Sequence, residues 1–317
     1  MATTLRGCKI SRNVLIIGSS GLIGSQLSKK LWLNGDKVIG NSRFPIQSNV
    51  IHSQLNCSYQ ALDSKILRSE EVDHIIFCAG DTTQFAQKSG YQINISIHLE
   101  NFKKFIGIIK NIPTLQSVVF LSSAGALYES NQIVTENSPL KLGTDYAKLK
   151  FEMENVLVDA SSESNFNSKI LRISNVYGST IDNQIRGGFI NELIASSLAN
   201  KVFSIDQNYK IIKKNFIYVD DLVNLILFFI NLDSKSNILV NIANRESQTL
   251  ETILLFCYEV FAKYDLKIDS RIVNYKHIGN LNHEFDLSLL HSYIPGYKNI
   301  VTRIALNEMI NQYFKKQ

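Results

Sequence analysis

Short apolar segments alternate with helical patterns along the first half of this 317-residue chain. Strands connected in parallel need long crossovers, and strands buried on both faces read as continuous apolar runs. The alternation therefore predicts an α/β fold, a Rossmann-type doubly wound parallel sheet with helices on both faces. The predicted strands are Asn13–Ile17, Lys37–Gly40, Val50–Leu55, Asp73–Ala79, Ser117–Leu121 and Lys169–Ile173. A short amphipathic helix is predicted over 60–71.

The second half of the chain is less regular. Helical periodicity covers 186–200, 220–232, 248–263 and 302–315, and apolar runs predict strands at Ile211–Val219 and Ile238–Ala243. Residues 265–300 show no clear period and receive no assignment.

The composition is that of an ordinary globular chain, because 45% of the residues are hydrophobic and 19% are charged. The net charge of +5 is small and dispersed, which disfavours nucleic acid as a partner. The longest apolar run, Leu222–Ile230, is too short to span a bilayer, and no secretory signal is evident. Neither the four cysteines (Cys8, Cys57, Cys78 and Cys257) nor the six histidines show metal-ligand spacing. We therefore expect a cytoplasmic protein with no metal and no membrane contact.

A glycine-rich turn follows the first predicted strand and leads into a helix. Glycines allow close backbone approach to a pyrophosphate, and the helix N-terminus offers unpaired N–H groups. The turn predicts dinucleotide contacts from Gly18, Ser20, Gly21, Leu22, Ile23 and Gly24.

The second strand ends without the acidic residue that would bind the 2′-hydroxyl of NAD. Ser42 and Arg43 stand there instead, and they could hold a 2′-phosphate by charge-assisted hydrogen bonds. The sequence therefore favours NADP, with NAD as the alternative.

Tyr146 and Lys150 are four residues apart and share one face of a predicted helix. A neighbouring ammonium favours the phenolate that a tyrosine needs to act in proton transfer. Ser122 and Ser123 end the fifth strand, where a hydroxyl faces the crevice in which ligands bind. These four residues are the predicted catalytic groups.

These motifs resemble those of the extended short-chain dehydrogenase/reductase family, also called the NAD-dependent epimerase/dehydratase family. The matching segments run in the family's order over nearly the whole chain: GSSGLIG, DHIIFCAG, VVFLSSAGALY, YAKLK, LRISNVYG and KKNFIYVDDLV. The resemblance implies that residues 1–170 bind NAD(P). Residues 171–317 would form a smaller C-terminal α/β region that mainly binds a nucleotide-sugar, partly interleaved with the first. Further sites it implies are Ala79, Gly80 and Asn94 for the cofactor, and Asn175 and Lys214 for the substrate. Tyr128 could line the sugar site as a further substrate residue, or it could simply pack in the core. A homodimer is also implied, through the helices at 91–111 and 144–160.

The chain departs from the family at Ala124, where many members carry the catalytic serine or threonine; Ser123 or Ser122 is expected to replace it. The missing acidic residue after the second strand leads us to expect NADPH-dependent reduction of a 4-keto sugar. The alternative is a 4-epimerase with tightly bound NAD. A 4,6-dehydratase is less favoured. By the same resemblance, the dehydratase version of this site carries an Asp-Glu pair, and this chain has Gly125 and Ala126 in that region. A non-catalytic NAD(P)-binding sensor is a further alternative, disfavoured by the intact Tyr146–Lys150 pair.

Overall fold

The computed structural model describes residues 11–45, 48–80, 92–129, 133–185, 187–234, 236–274 and 282–315. Cys8 lies outside these ranges. Within them the strands are β1 Asn13–Ile17, β2 Lys37–Ser42, β3 Ser53–Asn56, β4 His74–Phe77, β5 Ser117–Ser123, β6 Ile133–Val134, β7 Asn167–Ile173, β8 Asn175–Tyr177, β9 Phe203–Asp206, β10 Lys213–Lys214, β11 Phe216–Tyr218, β12 Ile238–Ile242, β13 Gln248–Thr249, β14 Ser270–Val273 and β15 Glu284–Phe285.

The α-helices within the same ranges are α1 Leu22–Leu33, α2 Ser64–Ser69, α3 Ile95–Ile109, α4 Ala124–Leu127, α5 Asp145–Ser162, α6 Phe189–Leu198, α7 Val219–Asn231, α8 Leu250–Phe261, α9 Ser288–Tyr293 and α10 Thr302–Lys315. Two 3₁₀ turns, Tyr59–Ala61 and Ala262–Tyr264, complete the helical structure there.

A seven-stranded sheet with the order β12-β7-β5-β4-β1-β2-β3 forms the centre of the fold, and all its neighbouring strands are parallel. The strand order reverses direction at β1, which lies between β2 and β4. This arrangement confirms the predicted doubly wound parallel sheet.

Both faces of the sheet are buried, which explains the continuous apolar strands. Val14 and Ile16 of β1 belong to one core cluster, while Leu15 and Ile17 belong to another on the opposite face. Helices α1 and α7 contribute to the first cluster, and α3 and α5 contribute to the second. Side chains alternate across a strand, so each strand supplies both layers of the core.

Two predicted elements are broken by local interactions. The helix expected over 60–71 is a 3₁₀ turn followed by α2, because the Asp63 carboxylate caps α2 by accepting from the Lys65 N–H at 2.8 Å. The strand expected at Ile211–Val219 divides at Asn215 into β10, which pairs with β13, and β11, which pairs with β8.

The second half of the chain contributes to the central sheet as well as to the smaller elements. β12 pairs in parallel with β7 from Ile238↔Lys169 to Ile242↔Ile173. Two further small parallel pairs, β14 with β9 and β15 with β6, involve strands from the segment that received no assignment. Among the described residues, no helix is long and apolar enough to cross a membrane, and no cluster of three metal-ligating side chains is found.

Candidate active site

A cavity of about 870 Å³ opens at the carboxyl ends of the parallel strands, where the strand order reverses. Ligands bind at this position in open α/β sheets. The glycine turn after β1 and the segments after β2, β3, β4, β5 and β7 all line the cavity. It contains most of the predicted site residues: Gly18, Ser20, Gly21, Leu22, Ile23, Gly24, Ser42, Arg43, Ala79, Gly80, Ser122, Ser123, Tyr146, Lys150 and Asn175.

The glycine turn is packed too closely to accept side chains at two positions. Gly18 has a φ of +90°, and a Cβ there would lie 2.9 Å from the backbone N and Cα of Ala79. A Cβ on Gly24 would lie 2.2 Å from the carbonyl oxygen of Gly18. The Gly18 and Ser19 N–H groups both donate to the Asn41 carbonyl at 3.0 Å, which fixes the turn against the end of β2.

Gly21 differs from these two glycines because its position is open. It is the N-cap of α1 with ordinary extended dihedral angles, and its added Cβ would meet only the Gly18 carbonyl oxygen, at 3.4 Å. No side-chain cap occupies this helix end among the described residues. The turn thus presents the helix N-terminus to the cavity, as a pyrophosphate site requires.

The end of β2 contributes one buried and one exposed side chain to the cavity lining. The Ser42 side chain is buried; its hydroxyl donates to the Phe44 carbonyl and accepts from Gln54 Nε2 at 3.0 Å. Arg43 is exposed at the edge of the same cavity. Arg43 is therefore more accessible to a ligand here than the buried Ser42.

Tyr146 lies in the first turn of α5. Thr144 caps that helix by accepting from the Ala147 N–H at 3.1 Å, which sets where the helix begins. The Tyr146 phenol is hydrogen-bonded to the side chain of Ser123, and burial of the phenol raises its pKa. Ala124, the residue after Ser123, is completely buried. The geometry thus pairs Tyr146 with Ser123.

Lys150 lies one turn after Tyr146 and lines the same cavity. Its side chain is 7% exposed, its Nζ donates to the Leu121 carbonyl at 2.9 Å, and it lies 4.8 Å from the centroid of the Phe120 ring. Burial lowers the pKa of Lys150 to about 8, against the opposing effect of Glu154. A cation in this position can favour negative charge that develops in the cavity.

Two buried hydroxyls at the cavity suggest what would bind there. Ser122 and Ser174 are 2% and 6% exposed, and their Oγ atoms have no hydrogen-bond partner within the described part of the chain. Buried polar atoms are normally satisfied. Together with the glycine cradle, these atoms fit a polar ligand such as a dinucleotide.

Three predicted site residues lie elsewhere, and each has a local reason. Asn94 caps α3 by accepting from the Ile97 N–H at 3.1 Å, and its side chain is not part of the cavity lining. For Tyr128 the packing alternative holds: the side chain is completely buried, and its hydroxyl accepts from Arg172 Nη1 and donates to Asn241 Oδ1, both at 2.8 Å.

Lys214, expected at the substrate phosphates, lies on β10 outside the described lining of the cavity. Its Nζ is 3.4 Å from Nδ1 of His283, a buried ring whose pKa burial lowers to about 3. Asn175 does reach the cavity, where its Nδ2 donates to the Asn215 carbonyl at 2.8 Å.

The cavity also includes residues that the motifs did not indicate. His98 and Asn101 line it from α3, four and seven residues after Asn94, so helical spacing from Asn94 could have found them. Segment 57–60, after β3, lines it as well. Because ligands contact the carboxyl ends of parallel strands, the position of this segment directly after β3 predicts that it lines the cavity.

Comparison with known proteins agrees with this fold. The model of the NAD dependent epimerase/dehydratase family matches residues 14–243. A putative UDP-glucose 4-epimerase of Methanocaldococcus jannaschii is 26% identical over 268 residues, covering 78% of this chain and 82% of that protein.

Two solved structures share the fold at 18% identity and a TM-score of 0.81, and each covers 96% of this chain and 99% of its own. One is UDP-glucuronic acid 4-epimerase from Bacillus cereus in complex with UDP-glucuronic acid and NAD. The other is UDP-glucose 4-epimerase with UDP-glucose from Thermotoga maritima.

Proposed function

The chain belongs to the NAD dependent epimerase/dehydratase family, and from that membership we propose that it is a nucleotide-sugar 4-epimerase that uses NAD. The observation that carries the proposal is the convergence of Tyr146, Ser123 and Lys150 on the cavity that the glycine turn also lines. The similarity to a putative UDP-glucose 4-epimerase supports epimerisation over the 4-keto reduction that the sequence led us to expect.

The glycine turn would hold the cofactor's pyrophosphate at the N-terminus of α1, with Gly21 leaving room for it. When bound, NAD supplies the acceptor and donor of hydride for the sugar carbon. Ser42 is engaged with Phe44 and Gln54, and this supports NAD over NADP, because one fewer group is left for a 2′-phosphate. The NAD seen in the Bacillus cereus complex supports the same choice.

Tyr146 would take the proton from the sugar 4-hydroxyl as that carbon is oxidised and return it when the carbon is reduced. Ser123 is hydrogen-bonded to the phenol and is therefore placed to donate to the same sugar oxygen as negative charge develops there. Burial raises the pKa of Tyr146, so a nearby positive charge is needed to favour the phenolate. The Lys150 ammonium, one helical turn away, would supply it.

The two halves of the chain would bind different ligands. Residues 1–170 would bind the cofactor, and residues 171–317 would mainly bind the nucleotide-sugar, although β12 joins the central sheet. Asn175 is the substrate contact that the cavity favours, because it is the one of the three predicted substrate residues that lines it.

A second copy of the chain is proposed to pack on α3 and α5. These helices contribute to the same core cluster, and each carries an exposed apolar residue: Ile97 is 54% exposed and Val158 is 36% exposed. Light scattering of the purified protein tests this proposal, with a mass near twice 35.8 kDa expected.

The second candidate function is NADPH-dependent reduction of a 4-keto sugar. The observation that favours it is the exposed Arg43 at the cavity edge, in a strand end that has no acidic residue. A guanidinium there would attract a 2′-phosphate.

The experiment that separates the two candidates is incubation of the purified protein with UDP-glucose, UDP-N-acetylglucosamine or UDP-glucuronic acid and substoichiometric NAD. An epimerase gives the 4-epimer in many turnovers per NAD, as measured by anion-exchange chromatography. Products that form only in step with NADPH consumption on a 4-keto sugar would instead support the reductase.

A further inference from the structure

A buried ion pair lies one helical turn behind Lys150. The side chains of Glu154 and Arg172 are 3% and 4% exposed; Arg172 Nε lies 3.0 Å from Oε1 and Nη2 lies 2.6 Å from Oε2. Arg172 also donates to the Tyr128 hydroxyl, which in turn donates to Asn241. The Glu154 carboxylate is therefore anchored through a continuous buried chain that runs from α5 through β7 to β12.

The pair has a position that stability alone does not explain. Removing two charges from water is unfavourable, and apolar residues of similar size often stabilise a core equally well. Glu154 follows Lys150 by four residues, so the two side chains lie on one face of α5. The negative charge of its carboxylate raises the pKa of Lys150, which connects the pair to the cavity.

We propose that Glu154 and Arg172 are positioning residues for Lys150: Glu154 keeps the buried ammonium charged, and Arg172 holds the Glu154 carboxylate in place. The inference rests on the proposed role of Lys150 beside Tyr146. The same inference gives Tyr128 a role. The Tyr128 hydroxyl accepts from Arg172 Nη1, whereas the Glu154 carboxylate is bound by Arg172 Nε and Nη2.

The other groups that face Lys150 do not supply a negative charge. Tyr146 lies on the same helix, and burial raises the pKa of its phenol. Cys78, after β4, is the other group that acts on Lys150, and burial raises the pKa of its thiol to about 12, so it is neutral at neutral pH. β5 contributes the Leu121 carbonyl and the ring of Phe120. Among the described residues, Glu154 is thus the anion that balances the ammonium.

Loss of either residue should weaken the support that Lys150 receives, which makes the inference testable. Glu154→Gln removes the favourable charge and leaves Arg172 cationic, so the protonation midpoint of Lys150 falls by about one pH unit or more. Arg172→Gln removes the group that holds the carboxylate, so the midpoint falls as well. A pair that only packed the core would lower stability in both variants and leave the midpoint where it was.

The experiment uses the full-length, cofactor-free protein. Brief pulses of acetic anhydride at a series of pH values acetylate neutral amines, and peptide mass spectrometry follows the extent at each lysine. Lys148 is the internal control, since it lies on the same helix with its side chain 53% exposed. The alkaline limb of the pH profile of kcat/KM, measured for the same variants, gives the second readout.

We expect the wild-type Lys150 midpoint near pH 8, lower midpoints in Glu154→Gln and in Arg172→Gln, and no change at Lys148. An unchanged Lys150 midpoint in both variants, or a rise in either, overturns the inference. If a single variant fails to fold by circular dichroism, the charge-neutral double variant Glu154→Gln/Arg172→Gln takes its place, with a midpoint below that of the wild-type protein expected. Labelling needs no turnover, so it decides the inference even if the wild-type protein epimerises none of the sugars and the proposed function fails.

Discussion

The Tyr146 phenol is hydrogen-bonded to the side chain of Ser123, one residue before the position at which the family resemblance implies a catalytic hydroxyl. In this chain that position is Ala124, which is completely buried. We therefore propose Ser123 as the hydroxyl that assists proton transfer.

Ser123→Ala is expected to lower kcat by about 10²- to 10³-fold, because it removes a donor placed at the developing oxyanion. Steady-state kinetics on the nucleotide-sugar measures this, with KM expected to change far less. Ser122→Ala is the matched control, because the Ser122 hydroxyl has no bond to Tyr146 among the described contacts. A larger loss in Ser122→Ala than in Ser123→Ala would reverse the assignment.

Gly21 and Gly24 are expected to respond differently to the same substitution. Gly21→Ala places a methyl group at the cavity, in ordinary contact with the Gly18 carbonyl oxygen, so NAD affinity falls by about tenfold or more while stability changes by about 1 kcal/mol at most. Gly24→Ala places its methyl against the Gly18 carbonyl oxygen, so it destabilises the fold by about 1–3 kcal/mol.

Urea denaturation and NADH fluorescence titration, performed on both glycine variants, separate the two effects. Normal NAD affinity in Gly21→Ala would contradict the placement of the pyrophosphate at this turn.

Activity is expected to fall as the pH rises through about 8. Burial lowers the pKa of Lys150 to about that value, and above it the amine is neutral and no longer favours charge on Tyr146. The pH profile of kcat/KM measures the midpoint of this limb. Lys150→Met should remove most of the activity, whereas Lys148→Met, on an exposed part of the same helix, should retain it. An alkaline limb that persists unchanged in Lys150→Met would assign it to another group.

Arg43→Ala tests which cofactor the site prefers. The proposal expects the wild-type protein to bind NAD more tightly than NADP, and the variant to keep its NAD affinity within about twofold. NADP affinity should fall by about tenfold, since a charge-assisted contact to the 2′-phosphate is lost. Fluorescence titrations with NADH and NADPH give both values. Tighter binding of NADP than of NAD by the wild-type protein would favour the reductase.

The central sheet and the cavity were predictable because their signals are local. Strands such as β1 are buried on both faces and read as apolar runs, and the glycine turn follows directly from the first of them. Tyr146 and Lys150 are brought together by helical spacing alone, and both line the cavity as expected.

The direction in which a side chain points was not predictable where distant residues decide it. Tyr128 turns into the core because its hydroxyl accepts a hydrogen bond from Arg172 and donates one to Asn241, and both residues are far from it in the sequence. Lys214 lies beside His283 because β10 pairs with β13 rather than continuing into β11. Asn94 is a different case, since an asparagine before an apolar helical pattern is itself a capping signal.

The most direct test of the proposed epimerisation follows the hydrogen on carbon 4 of the sugar. The protein is incubated in ordinary water with a UDP-hexose that carries deuterium at carbon 4, and the product is examined by NMR and mass spectrometry. The proposal predicts a 4-epimer that retains the deuterium at carbon 4, because hydride leaves and returns within one binding event while Tyr146 exchanges only the hydroxyl proton. Absence of the 4-epimer, together with transfer of deuterium from labelled NADPH to a 4-keto sugar, would contradict it.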